Sequence, residues 1–199
     1  MAVPAWVSEL GITAQVFIAF AAIYGEKIRG RLSRPKLRIV FSSGEGDREP
    51  KQIGSSIITV SCHRLHIRNA TRYSVANEVQ VFVTKIESRQ PTGDIRTDFS
   101  GAAPLPWQHQ ALYSTARNIG YSTVAYVDFL YVALEVIHLA SVEPKPESLA
   151  GGWLGKHHHL WITVVARGLN AESKPVCLEI RREGESMESV SISLSQPAA

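Results

Sequence analysis

The chain has only two cysteines in 199 residues, Cys62 and Cys177, and neither belongs to a CxxC pair or to any zinc-ligand spacing. A disulfide scaffold and a structural zinc finger are thereby excluded. Each cysteine lies in an apolar run that reads as a strand, so two buried free thiols are expected. An inter-sheet bridge remains the alternative, but no tryptophan lies between the two at the place where one normally packs on such a bridge. Catalytic signatures are missing too. There is no Gly-x-Ser-x-Gly elbow, no Ser-x-x-Lys pair at a helix start, no P-loop and no dinucleotide fingerprint, and Gly44-Glu-Gly46 is too short and too acidic to cradle a phosphate. The expectation is a chain that is not an enzyme and carries no cofactor.

Basic character is concentrated in one place. The formal charge is +3, which would ordinarily raise nucleic acid as a partner, but six basic residues fall between positions 27 and 38: Lys27, Arg29, Arg31, Arg34, Lys36 and Arg38. From residue 39 onward there are 15 Lys and Arg against 16 Asp and Glu, a net charge of −1. The body of the chain is therefore nearly neutral, and no nucleic-acid partner is expected.

Just ahead of that cluster, no charge occurs between Glu9 and Glu26, and residues 10–24 are apolar on nearly every side. Sixteen uncharged positions extend about 24 Å as a helix, and counting back through Val7, Trp6 and Val3 closes the gap to the roughly 30 Å of a hydrocarbon core. Residues 1–28 are expected to anchor the chain in a bilayer as one transmembrane helix. An interfacial helix or a helix packed on the domain is open to the same residues. A secretory signal would place its positive charges before the apolar stretch. Here they follow it, which predicts a short N-terminus outside and the large domain in the cytoplasm.

After a basic linker at 29–36, the pattern changes to short alternating runs at 37–41, 57–67, 75–86, 123–134, 160–166, 176–181 and 190–194. Val79, Val81 and Val83 share one face opposite Gln80, Phe82 and Thr84. The expectation for residues 37–195 is a mainly β domain, an antiparallel two-sheet sandwich of immunoglobulin-like kind with about seven strands. Residues 135–140 fit helix or strand.

Binding groups on such a sandwich usually come from loops at one end. The two longest joints, 91–109 and 142–159, each carry a tryptophan and a histidine: Trp107 and His109 in one, Trp153 and His157 in the other. These four are the candidate ligand-binding residues, with the two joints expected at the same end. Trp107 has a second reading as a plug closing the sandwich, and Trp161 is expected in the core. Of the consecutive histidines 157–159, only His157 and His159 would face the same way on a strand, and no metal is expected. Arg181-Arg182 reads as a solvated pair on an edge strand, and Asn69 as the start of a turn.

The order of apolar helix, basic segment, Arg34-Pro-Lys-Leu37, Leu65-His-Ile-Arg-Asn69 and Ala76-Asn-Glu-Val-Gln-Val81 resembles a group of uncharacterised bacterial proteins. In that group a single N-terminal membrane helix precedes a cytoplasmic β domain. Pro104-Leu-Pro-Trp-Gln-His109 and Asn118-Ile-Gly120 extend the resemblance over nearly the whole chain. It implies a bacterial source, an inner-membrane location and an accessory role in stress or phage defence; no activity comes with it. The leading expectation is a membrane-anchored module that binds a protein or small molecule. The runner-up is an effector whose β domain senses a small signal and whose helices associate into a homo-oligomer through Ala14, Ala19, Ala21, Ala22 and Gly25 and perturb the bilayer.

Overall fold

The computed structural model describes residues 24–25, 34–41, 46–53, 55–72, 74–108, 115–133, 136–140, 159–184 and 189–195. The chain divides into two compact units, Met1–Arg34 and Pro35–Ala199. In the first, Tyr24 and Gly25 have helical backbone. Among the described residues no helix is long and apolar enough to cross a membrane; apart from Tyr24, the expected span over 10–24 lies outside them.

The second unit is mainly β. Its strands are β1 (Leu37–Phe41), β2 (Asp47–Ile53), β3 (Ser56–Asn69), β4 (Ala76–Arg89), β5 (Ile95–Leu105), β6 (Arg117–Ile119), β7 (Val124–Ala133), β8 (Val136–Leu139), β9 (His159–Arg167), β10 (Val176–Arg182) and β11 (Val190–Ser195). All pair antiparallel in two sheets, one ordered β1-β3-β7-β8 and the other β11-β10-β9-β4-β5. β2 adds to β3 opposite residues 56–62, ahead of β1, which covers residues 65–69, and β6 adds to β4.

The two sheets enclose one main core. Leu65 and Ile67 of β3 and Val127 and Phe129 of β7 pack in the same cluster as Val81, Val83 and Ile86 of β4 and Ile162 and Val164 of β9, all 1 % exposed or less. Each such side chain contributes about 1.5–3 kcal/mol over its exposed state. A one-residue slip would turn this whole set outward, so burial fixes the register. The β3–β7 ladder shifts between His63 and Arg64, leaving Phe129 as an extra residue on β7. That bulge lets the consecutive residues Phe129 and Leu130 both enter the core.

All seven alternating runs are strands, but four further strands escaped the periodicity. β2 is polar and contains Pro50, which an edge strand tolerates because one side of its backbone needs no partner. β6 and β8 are too short to show a period, and residues 136–139 resolve as strand. β5 corrects the expectation of a long loop over 91–109. The chain turns at Gln90–Asp94, where Gly93 N–H donates to the Gln90 carbonyl (2.9 Å), and returns as a strand whose alternation is broken by two register shifts against β4.

Two side-chain placements are also corrected. Trp161 lies half-buried on the outer face of β9, because Leu160 and Ile162 take the inward positions. Arg182 is buried, its Nε donating to the Gly184 carbonyl at 2.7 Å, since β10 is an interior strand between β9 and β11. Both cysteines are free. Cys62 points to the outer face of the first sheet with Val60 and Ala133, and Cys177 to the outer face of the second beside Thr163, so the sandwich separates them.

Candidate functional site

β1 begins where the basic linker was expected to end. Leu37 and Phe41 turn inward and are buried, while Arg38 and Val40 turn outward, opposite Arg68 and His66 of β3. The residue before β1 is tied to the two residues that follow β3. Lys36 N–H donates to Thr71 Oγ1 (3.1 Å), and Ala70 N–H donates to the Lys36 carbonyl (2.9 Å). Asn69 is fully buried and holds this corner: Nδ2 donates to the Ser74 and Ile119 carbonyls, and Oδ1 accepts from Thr71 N–H, the turn expected at this residue.

Alongside β1 runs a cleft of about 460 Å³, with residues 35–40 on one wall and Glu172, Ser173, Lys174 and Val176 on the other. This volume lies in the range of ordinary ligand sites. Three cations, Lys36, Arg38 and Lys174, are exposed at it. Among the described lining residues the one carboxylate, Glu172, is taken up by Arg167 Nε at 2.9 Å. Among the described residues the side chains of the three cations have no ion-pair partner. Arg38 and Arg68 moreover face each other directly, an arrangement that costs stability unless an anion lies nearby. The cleft therefore has net positive charge over apolar walls from Leu37, Ile39 and Val176, suited to holding an anionic group with an apolar portion.

Two other clusters are saturated by their own members. On the outer face of the first sheet, the Arg64 side chain is 7 % exposed and bonds Asp47, Glu49 and Asp128, the last through Nε at 2.9 Å. The hydrogen bond from Arg64 holds the Glu49 carboxyl below its usual range, against the opposing effect of burial. Burial pushes the neighbouring Cys62 thiol up to about 11, which leaves it protonated and a poor nucleophile near neutral pH. Lys51 lies over the Tyr131 ring, which stacks on His138. On the outer face of the second sheet, Trp161 packs beside His159 with Arg89 above it. Glu179 accepts from Arg181 at 2.9 Å and meets His159 Nε2; burial raises its carboxyl, but these two partners prevail and hold it low.

The sequence candidates divide between these surroundings and residues outside the description. Trp107 is 1 % exposed, its Nε1 donating to the Thr115 carbonyl at 3.0 Å, so its ring belongs to the core. His109, Trp153 and His157 lie outside the described residues, as do Lys27, Arg29 and Arg31, and with them the expected clustering of the two joints. Arg34, Lys36 and Arg38 are exposed, and the last two line the cleft. Lys174 and Val176 escaped sequence reasoning. Lys174 lies in the joint between β9 and β10 and Val176 begins β10, so only the packing of the second sheet against the first brings them to the cleft beside β1. Among the described residues no group of three or more His, Cys, Asp or Glu side chains could hold a metal.

Comparison with family models, with curated proteins and with solved structures returns no match. The cleft has to be read from its own chemistry.

Proposed function

We propose that this chain is a membrane-anchored, non-enzymatic binding module whose β domain faces the cytoplasm and takes an anionic partner in the cleft beside β1. The observation that carries the reading is the convergence of Lys36, Arg38 and Lys174 on a cleft where, among the described lining residues, the one carboxylate is already paired. Surplus charge of one sign costs folding stability through self-repulsion and is recovered when a complementary partner binds. The apolar stretch 10–24 and the basic residues that follow it support a tether with the domain on the positive side of the bilayer. The same order of segments supports kinship with the bacterial membrane-anchored proteins the sequence resembles.

Within the sandwich class the proposal is an immunoglobulin-like arrangement. Taking β1, β3 and β7 as strands A, B and E, and β4, β9 and β10 as C, F and G, reproduces the A-B-E and C-F-G adjacencies of that fold. β8 then occupies the edge where strand D would lie, and β11 is an addition beyond G.

One experiment tests anchor and site together. The full-length protein is expected to stay with membranes through carbonate extraction and, in mild detergent, to bind inorganic phosphate or succinate. The triple variant Lys36→Glu, Arg38→Glu, Lys174→Glu should keep the first property and lose the second. Release by carbonate refutes the anchor, and anion binding that survives the triple variant refutes the site.

A further inference from the structure

Among the described residues β1 has a neighbour on one side only: it pairs with β3 and ends the first sheet. The bond from Ala70 N–H to the Lys36 carbonyl makes residues 36 and 70 a hydrogen-bonded pair. In an antiparallel ladder such pairs alternate, so Arg38 and Val40 also direct their backbone groups toward β3. Leu37, Ile39 and Phe41 then present N–H and C=O groups away from it, along the open edge. That edge forms one wall of the 460 Å³ cleft.

We infer that the cleft receives an extended peptide segment of a protein partner, which adds to β1 as a further antiparallel strand and alternates acidic with apolar residues. This rests on the proposed anion-binding role of the cleft and specifies the ligand. An added strand would satisfy the backbone groups of Leu37 and Ile39, the mode in which ladder bonds supply affinity and alternate side chains supply specificity. Successive side chains of the segment fall on opposite faces. Those beside Lys36 and Arg38 lie on the outer face and meet two cations, which calls for Asp or Glu at every second position. The intervening residues turn toward Leu37, Ile39 and Val176, which calls for apolar side chains. Lys174 on the opposite lip adds a third positive charge and disfavours a basic segment. Charged edge residues also deter unselective pairing, so that a strand of matching charge is admitted and others are refused.

The test uses the full-length chain in detergent and a fluorescent hexapeptide alternating Glu and Val, followed by anisotropy. Three comparisons accompany it: the block isomer with three Glu followed by three Val, the alternating peptide N-methylated on the amides that would face β1, and inorganic phosphate. The alternating peptide is expected to bind about tenfold or more tightly than the block isomer and than the N-methylated form, a difference of about 1.4 kcal/mol. The double variant Lys36→Glu, Arg38→Glu should transfer the preference to a hexapeptide alternating Lys and Val, a gain that a misfolded variant cannot mimic. Equal binding of the three acidic peptides, with phosphate still bound, overturns strand addition and leaves the anion site standing. Failure of both phosphate and peptides to bind overturns the two together.

Discussion

Replacing Arg64 by Met keeps much of the side-chain volume and removes the charge that three carboxylates surround. The Arg64 side chain is 7 % exposed, whereas Asp47, Glu49 and Asp128 are 71 %, 35 % and 20 % exposed. Breaking a fully buried pair costs about 3–5 kcal/mol. Asp47 is so exposed that its share is that of a surface pair, about 0.2–1 kcal/mol, and water partly screens the other two. Discounting for that exposure, Arg64→Met should cost about 2–3 kcal/mol, or about 4–12 °C in Tm for a unit of this size. The loss should also depend on pH. Glu49 has a folded pKa below its unfolded one because Arg64 donates to it. Its stabilisation is therefore complete above the unfolded carboxylate value of about 4.3 and is lost as pH falls through the folded value. Urea denaturation of residues 35–199 at pH 7 and at pH 3 measures both effects. A difference between wild type and variant below about 1 kcal/mol at pH 7, or one that persists undiminished at pH 3, would refute the argument.

Two further perturbations probe the same end of the domain. Gly46 has φ +77°, and a Cβ there would lie 2.5 Å from Ser61 Oγ and 2.9 Å from the Cys62 carbonyl, so Gly46→Ala should lower the unfolding free energy by about 1–3 kcal/mol, read as a lower urea midpoint with the slope unchanged. His63 is buried with Nε2 unpartnered, and burial lowers its pKa against the pull of Asp47. A depressed folded pKa means that its contribution is complete above about pH 6.5 and is lost as pH falls below that value toward the folded one. His63→Leu should therefore flatten the pH dependence of stability just below pH 6.5, and an unchanged profile would show that another group sets it.

Strand identity was legible wherever a strand buries one face along its length. Val79, Val81 and Val83 against Gln80, Phe82 and Thr84 write their alternation into the sequence, because each side chain has a single environment. The signal failed where the ladder is irregular or one-sided. β5 is invisible because its register shifts twice against β4, and β2 because it is a polar edge whose ordering comes from β3. Trp161 was misplaced because a run of large residues does not reveal which phase of its alternation faces the opposite sheet. Trp107 had two readings from the sequence, and the structure buries its ring in the main core.

For the site, local sequence reached Lys36 and Arg38 as part of a basic cluster but not the cleft they line. By itself the sequence determined the β class of the body of the chain and most of its strand positions. These follow from composition and short-range periodicity, which act between near neighbours in the chain. Only the tertiary structure decided that β1 ends its sheet among the described residues, that its edge lines a cleft, and that Lys174 stands across from Arg38. Those facts depend on contacts between residues more than 130 positions apart, and no local preference encodes which strand is left without a neighbour.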